Sequence, residues 1–104
     1  MHRLQKLIQS LESTGYPIAY NEFEGNVSLP FIVYRIPGYE TLPADDVVYH
    51  QSIDVDVELY MPSRFNPQWE SVVDDALSNY YFKAEYIPIK EEKMIMKLYE
   101  MRLM

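Results

Sequence analysis

The sequence predicts an α+β domain, in which a mixed or antiparallel sheet of about four to five strands carries two helices packed on one face. Apolar residues repeat at helical spacing near the start of the chain and again beyond its middle. The other segments alternate between apolar and polar residues, or are rich in β-branched and aromatic residues, as strands are. The chain has 104 residues, enough to close one core, so we expect a single domain over residues 1–104.

The first third of the chain predicts one helix followed by short and long extended segments. Leu4, Leu7, Ile8 and Leu11 lie on one helical face, and Gly15 stands where a helix C-terminus favours a left-handed residue. The predicted elements are a helix over residues 2–14, a short edge strand over 16–20, a loop over 21–28, a strand over 29–36 and an extended loop over 37–46. That last loop is too long for a tight turn, so we expect it to project from the domain.

The strand predicted over residues 47–60 has the clearest pattern in the sequence. Its apolar residues are Val47, Tyr49, Ile53, Val55, Val57 and Leu59, and its polar residues are His50, Ser52, Asp54, Asp56 and Glu58. Because successive side chains of a strand point to opposite faces, one face should pack on the core and the other should carry a stripe of carboxylates. That stripe is either a solvated outer face or a negatively charged working surface.

The rest of the chain predicts a short turn over residues 61–65, a second helix and a closing hairpin. Asn66 and Pro67 supply an N-cap and a first helical residue in the favoured order. The helix has a broad apolar stripe (Trp69, Val72, Val73, Ala76, Leu77 and Tyr80) and three residues predicted to face outward (Asp74, Asp75 and Asn79). The hairpin strands are predicted over residues 82–89 and 93–103. Because the last strand is apolar on both faces, we expect it to be central or covered by another chain.

Composition and charge disfavour several classes of function. The net charge of −7 makes nonspecific attraction to DNA or to an anionic membrane unfavourable. The chain has no cysteine, which excludes disulfides and thiolate chemistry, and its three glycines form no phosphate-binding loop. No apolar run approaches the ~20 residues that span a bilayer. We therefore expect a soluble protein with no membrane partner, no catalytic residues, no cofactor and no metal.

A small metal-dependent nuclease is the catalytic alternative. Asp54 and Asp56 are neighbours on one strand face, ~7 Å apart, so a hard cation such as Mg²⁺ could bridge them. Glu91 and Lys93 have an acid-x-lysine spacing that some nucleases use, but they fall in a predicted hairpin turn, where solvated charges are ordinary.

Several large or charged groups stand on segments that the sequence predicts to be exposed, or on the two-faced last strand. The candidate interface residues are Tyr39, Glu40, Leu42, Arg64, Phe65, Tyr99 and Met101. Aromatic and arginine side chains of this kind are typical interface anchors, although a loop folded back on its own domain would have the same composition. A third class of function is a small cytosolic module that recruits a strand or peptide to an exposed sheet edge.

The order of these segments resembles that of small tail terminator proteins of long-tailed bacteriophages, also called tail completion or tail-to-head joining proteins. The resemblance lies in the stretches STGYPIAY (residues 13–20), LPFIVY (29–34), DDVVY (45–49), VELY (57–60), EKMIM (92–96) and YEM (99–101). It runs over nearly the whole chain and rests on the succession of strand sequences.

The resemblance implies a structural virion protein without enzyme activity, made in the host cytoplasm. Subunits of this family form a six-membered ring at the head-proximal end of the tail, which stops growth of the tail tube and provides the surface for head docking. The implied partners are further copies of the chain, the tail tube protein and the head-tail connector or stopper, while DNA passes through without specific binding. Asp54, Asp56 and Glu58 are candidate lumen residues, since carboxylates repel phosphate. A head-completion adaptor or stopper is the neighbouring alternative.

Overall fold

A five-stranded mixed sheet with two helices forms the fold, which confirms the predicted α+β class. The computed structural model describes residues 2–43, 49–64 and 66–103, and the side chains of residues 2, 41–43 and 49–51 are not described. In chain order the elements are α1 (His2–Glu12), β1 (Ile18–Tyr20), β2 (Phe31–Pro43), β3 (Tyr49–Pro62), α2 (Pro67–Ala76), β4 (Phe82–Ile89) and β5 (Met94–Leu103). A single 3-10 turn, Lys90–Glu92, joins β4 to β5.

The strand order in the sheet is β1-β2-β3-β5-β4. β1 is parallel to β2, and the other neighbouring strands are antiparallel. The closing hairpin and the short edge strand are therefore confirmed. β5 lies between β3 and β4, so the strand that is apolar on both faces is an inner strand of the sheet.

The core lies between the two helices and one face of the sheet. β3 contributes its odd-numbered residues, all buried: Ile53, Val55, Val57, Leu59 and Met61. α1 adds Leu7 and Leu11, and α2 adds Val73 together with Leu77, the residue that caps its C-terminus; all four are 0% exposed. Because both helices meet the same set of sheet residues, they cover the same face, as the sequence predicts.

The predicted helix ends are close to the observed ones. Asn66 caps α2, its side-chain oxygen accepting a hydrogen bond of 3.1 Å from the backbone N–H of Gln68, and Pro67 is the first helical residue. α1 ends at Glu12, two residues before the predicted end, and Gly15 follows with a left-handed φ of +80°.

The prediction of an extended loop over residues 37–46 is wrong for residues 37–43, which belong to β2. The pairing of β2 with β3 shifts register between Arg35 and Gly38, so Pro37 falls in a bulge, where its missing N–H breaks no regular ladder. β1 pairs only with Ile32, Val33 and Tyr34, which leaves this part of β2 at an edge of the described sheet, where proline is tolerated. Residues 44–46 lie outside the described residues.

Two further boundaries differ from the prediction. Met61 and Pro62 belong to β3, where they pair with Ile95 and Met94 of β5, so the predicted turn over residues 61–65 begins two residues later. Phe65 lies outside the described residues, as do Val47 and Val48 at the start of the predicted long strand.

β2 and β3 extend beyond the body of the sheet as a two-stranded arm, formed by residues 39–43 and 49–52. Tyr39, at the base of the arm, pairs with Ile53, where pairing between β3 and β5 begins. Beyond that pair, residues 40–43 and 49–52 pair only with each other within the described residues. The radius of gyration is 15.2 Å. A compact domain of this length has a radius of gyration of about 13 Å, so the arm gives the molecule an elongated shape.

A buried lysine ties α2 to the sheet. Lys97 of β5 is 7% exposed, and its Nζ lies 3.1 Å from an Asp74 oxygen and 3.4 Å from a Glu70 oxygen, both on α2. The Tyr99 hydroxyl donates to Asp74 at 2.6 Å, and the Tyr86 hydroxyl donates to Glu70 at 2.7 Å. The two carboxylates and the ammonium therefore meet at the junction of α2, β5 and β4.

The sequence prediction that Asp74 faces outward is therefore wrong. Burial alone would lower the pKa of Lys97, but its hydrogen bond to Asp74 and the charges of Asp74 and Glu70 outweigh burial, and the pKa is raised. Burial and the hydrogen bond to Asp74 likewise raise the pKa of Tyr99. Lys97 is thus charged at neutral pH and neutralises carboxylates that would otherwise face a buried strand.

Replacing Lys97 with alanine is expected to lower the free energy of unfolding by about 2 kcal/mol. Loss of one partner of a buried ion pair leaves the other charge uncompensated, and we reduce the usual cost because Asp74 is partly exposed. Urea denaturation of wild type and of Lys97→Ala measures the difference in free energy of unfolding. Lys90→Ala, at an exposed position in the 3-10 turn, is the matched control and should stay within about 0.5 kcal/mol of wild type. Equal losses in both variants would contradict a special role for Lys97.

Candidate functional site

The candidate site is the sheet face opposite the helices, here called the open face. Among the described residues, neither helix covers it. Cross-strand partners place its side chains in rows, each running from β2 through β3 and β5 to β4. The rows near Pro62 are apolar, and those near Asp54 are charged.

The apolar end of the open face is lined with aromatic and sulfur-containing side chains. Phe31 stacks on Tyr60 with ring centroids 4.9 Å apart, and Phe23 from the loop before β2 meets Phe31 edge-on at 5.3 Å. These rings, together with Val27 and Met94, line an open groove of about 370 Å³, and Arg35 stands at its rim. Further half-buried residues continue the apolar surface across β5 and β4: Met96, Leu98, Ile87 and Ile89. The open face therefore joins an aromatic groove to an apolar surface.

At the charged end of the open face, Asp54 is paired with an arginine. Arg102 of β5 donates from Nε to Asp54 at 2.8 Å and from a terminal nitrogen at 3.4 Å. Glu40 of β2 lies 3.9 Å from the same guanidinium. The hydrogen bond from Arg102 lowers the pKa of Asp54, so this carboxylate stays ionised at neutral pH.

Glu58 is also paired, and it is largely buried. Arg35 of β2 donates from Nε to Glu58 at 3.0 Å, and the Tyr60 hydroxyl donates to the other carboxylate oxygen at 2.8 Å. Glu58 is 8% exposed, and the hydrogen bond with it raises the pKa of Arg35. The contact between Arg35 and Glu58 lies between the apolar and charged rows.

Asp56 differs from its two neighbours on the stripe. Its direct cross-strand partner on β5 is Glu100, another carboxylate, and like charges in that position repel, whereas its partner on β2 is Arg35, whose guanidinium donates to Glu58. Partial burial raises the pKa of Asp56, and Glu100, Glu58 and Asp54 raise it further, while Arg35 opposes them. Within the described residues no ion pair joins Asp56 to a cation. Asp56 and Glu100 thus form a pair of like charges near the centre of the open face.

These pairings change the meaning of the predicted carboxylate stripe. The structure places Asp54, Asp56 and Glu58 on one strand face, as predicted, but arginines offset the charge of Asp54 and Glu58. The charge argument for a lumen that repels DNA is weaker for paired carboxylates than for free ones, because each pair has little net field. The assignment of Asp54, Asp56 and Glu58 to the lumen stays a prediction. Asp56, which has no ion pair within the described residues, is the carboxylate that supports it best.

The candidate interface residues fall into different environments. Tyr39 is 68% exposed at the base of the arm, and Glu40 and Arg64 are also exposed. The Leu42 backbone pairs with His50 in the arm, and Phe65 lies outside the described residues. Tyr39 and Glu40 thus lie on the arm, away from Arg64 at the end of β3.

Tyr99 and Met101 are corrections to the candidate interface. They are 0% and 6% exposed and belong to the core beneath α2. Tyr99 is opposite Val57 and Met101 is opposite Val55, so both side chains point to the helix-covered face of the sheet. Neither residue is available to a partner of the folded chain.

The described residues provide little for the nuclease alternative. Asp54 already accepts hydrogen bonds from Arg102, which competes with a cation for the same oxygens. Within residues 2–43, 49–64 and 66–103, no three His, Cys, Asp or Glu side chains converge in a way that could hold a metal ion. Glu91 is in the 3-10 turn and Lys93 follows it with a left-handed φ of +51°, both exposed. No helix in the described part of the chain is long and apolar enough to cross a membrane.

Sequence reasoning missed two features of this surface. It treated the carboxylates without Arg35 and Arg102, whose positions opposite β3 depend on strand register. It also missed the groove at Phe31 and Tyr60, although Tyr60 continues the polar face of the strand predicted over residues 47–60. An aromatic residue on the face opposite the core is the sequence signal that could have indicated it.

Comparison with known proteins adds no family assignment. No protein-family model matches this chain, and no curated protein matches it in sequence. The resemblance described above therefore remains a prediction, and function has to be argued from the residues.

Replacing Asp56 with asparagine is expected to stabilise the protein at pH 7 by about 0.5 kcal/mol, because it removes a like-charge cross-strand pair. The raised pKa of Asp56 means that the folded protein binds this proton more tightly than the unfolded chain. The cost of its charge is fully present above the raised pKa and is lost as the pH falls below the ordinary aspartate pKa of about 3.9. The difference between wild type and variant should therefore vanish near pH 3, as measured by urea denaturation across pH.

Asp54→Asn is the matched control on the same strand face. Its lowered pKa means that the ionised carboxylate stabilises the fold above the ordinary aspartate pKa, and that this contribution is lost as the pH falls through the lowered value. The control should therefore destabilise the protein at pH 7. Destabilisation by Asp56→Asn at pH 7 would contradict the assignment of Asp56 to a repulsive pair.

Proposed function

We propose that this chain is a structural virion protein that forms a hexameric ring at the head-proximal end of a phage tail tube. The ring ends polymerisation of the tube and provides the surface on which the filled head docks. Its partners are further copies of the chain, the tail tube protein and the head-tail connector or stopper. DNA passes through without specific binding, and the protein has no catalytic role.

The observation that carries the proposal is the difference between the two sides of the sheet. One side is closed by α1 and α2, whereas the open face presents an aromatic groove beside charged rows. A subunit with two unlike surfaces suits head-to-tail contacts, which close into a ring when the rotation between subunits allows. The projecting arm, with exposed Tyr39 at its base, supplies a second contact element.

The charge of the chain supports passage of DNA without adhesion. A net charge of −7 per copy, repeated around a ring, repels phosphate at moderate distance in dilute salt. The proposal places the protein in the virion after synthesis in the host cytoplasm.

Two alternatives make different use of the same surfaces. A head-completion adaptor or stopper would also be a ring, so only its place in the particle separates it from a terminator. A module that recruits a strand to a sheet edge would use β4, an eight-residue edge strand whose middle residues Lys83, Ala84, Glu85 and Tyr86 are exposed.

Electron microscopy of lysates from the source phage, with this gene interrupted, tests the proposal. Detached tails of uncontrolled length beside filled heads are the expected result, because tube growth would lack its stop. A plasmid copy of the wild-type gene is the control and should restore whole particles. Normal-length tails with leaking heads would indicate the adaptor, and unaltered infectious particles would exclude a virion role.

A further inference from the structure

In the single chain, the groove of the open face is exposed to solvent and the arm lacks a third strand or a packed helix. The groove at Phe31 and Tyr60 is open to solvent at about 370 Å³. A two-stranded β-ribbon without a third strand or a packed helix is only marginally stable in water. The arm strands pair only with each other within the described residues, so contact with another surface would stabilise them.

Tyr39 is a large exposed apolar group among the described side chains of the arm. It is 68% exposed, and its cross-strand partner is Ile53, a core residue, so its side chain leaves the sheet on the helix-covered side. Its ring extends beyond the part of that side which the helices cover. Burial of a tyrosine in an interface removes a large apolar area from water at a low cost in side-chain entropy.

We propose that Tyr39 of one copy inserts into the aromatic groove of the next copy, where it packs against the side chains of Phe23, Phe31 and Tyr60 that line the groove. This contact rests on the proposed ring and identifies one of its subunit interfaces. The groove offers ring faces and edges at stacking distance, and Met94 adds a polarisable side chain. Arg35 at the rim, with a side chain 42% exposed, stands where it can donate to a tyrosine hydroxyl.

The position of these groups on the chain excludes the contact within one copy. Tyr39 and Phe31 are eight residues apart on β2, which corresponds to roughly 26 Å along a strand. They also lie on opposite faces, because Tyr39 is opposite core Ile53 whereas Phe31 is opposite Tyr60 on the open face. A copy can therefore fill a groove only in a neighbour.

The same geometry determines the kind of assembly. In a twofold dimer, one shared interface must present both the tyrosine and the groove of each copy, which is difficult when they point to opposite sides of a sheet. A head-to-tail contact needs only the tyrosine of one copy and the groove of the next, and it repeats until the ring closes. The contact is therefore heterologous and leaves no copy unpartnered in a closed ring.

Association of the full-length chain, measured by sedimentation velocity over a range of concentrations, tests the contribution of the tyrosine. Tyr39→Ala should weaken association about tenfold to hundredfold, as loss of a central aromatic anchor does. Tyr39→Phe retains the ring and should weaken it less. Tyr81→Ala is the matched control, because Tyr81 is 96% exposed and lies outside the arm, and it should associate as wild type does. Wild-type association of Tyr39→Ala, or an equal loss in Tyr81→Ala, would overturn the proposal.

Cysteine crosslinking tests the contact directly, because the chain has no cysteine of its own. Asn26 is exposed on the groove wall and Glu40 is exposed beside Tyr39, so a Glu40→Cys, Asn26→Cys double variant, which keeps the Tyr39 ring, should yield a ladder of linked multimers with a short bismaleimide crosslinker. Glu40→Cys combined with Ser78→Cys, at an exposed site after α2, is the control and should yield no ladder. Equal ladders, or none from the first pair, would overturn the contact.

The outcomes separate this contact from the proposed function. If native mass spectrometry shows a wild-type ring but the specific crosslink does not form, the proposed contact is excluded and the ring is supported. If the specific ladder forms but interruption of the gene leaves the particles unchanged, the contact is supported and the virion role is excluded. A wild-type chain that is monomeric at every concentration and gives no ladder overturns the contact. If Tyr39→Ala associates as wild type does, but phage carrying it fail to join heads to tails, Tyr39 contacts another virion protein and not a second copy of this chain.

Discussion

The one-sided burial of β3 is the constraint on which the rest of the structure depends. Its odd-numbered residues from Ile53 to Met61 are all buried, and each strand beside it must match that alternation. Both helices have to cover the apolar side, because their own buried leucines and valines have no other surface of that size to meet. The open face is therefore a direct consequence of the pattern in β3, and its groove and charged rows are carried by side chains that the core does not need.

Regular patterns made most of the fold predictable, and interruptions of pattern caused the errors. Period-two alternation, the Asn66-Pro67 cap and Gly15 each depend on a residue and its immediate neighbours, so they can be read from sequence. Pro37 and Gly38 resemble the start of a loop for the same local reason. They instead form a bulge, because β3 continues beside them and restores pairing from Gly38 onward. Whether such residues end a strand depends on the partner strand, which lies more than ten residues away.

The candidate site was predictable as a set of residues but not as a set of contacts. Alternation places Asp54, Asp56 and Glu58 on one face, yet the partners of each carboxylate depend on which residues lie opposite it. Arg102 and Asp54 are 48 residues apart, and Arg35 and Glu58 are 23 apart, so only strand register brings them together. Lys97 shows the same limit, since its two carboxylate partners come from a helix. Alternation likewise separates the two faces of β5, but only register shows that the face with Tyr99 lies beneath α2.

The charge distribution of the open face bears on what could cover it. Exposed ion pairs such as Arg102–Asp54 are screened by solvent, so the charged rows add little to the stability of the chain. A partner that excluded water there would have to leave each pair intact or supply its own cation opposite Asp56 and Glu100. The apolar rows impose no such condition, because the loss of water from Phe31, Tyr60 and Met94 is favourable by itself. A partner therefore gains most at the apolar end, and the unmatched carboxylates favour one that leaves them in water.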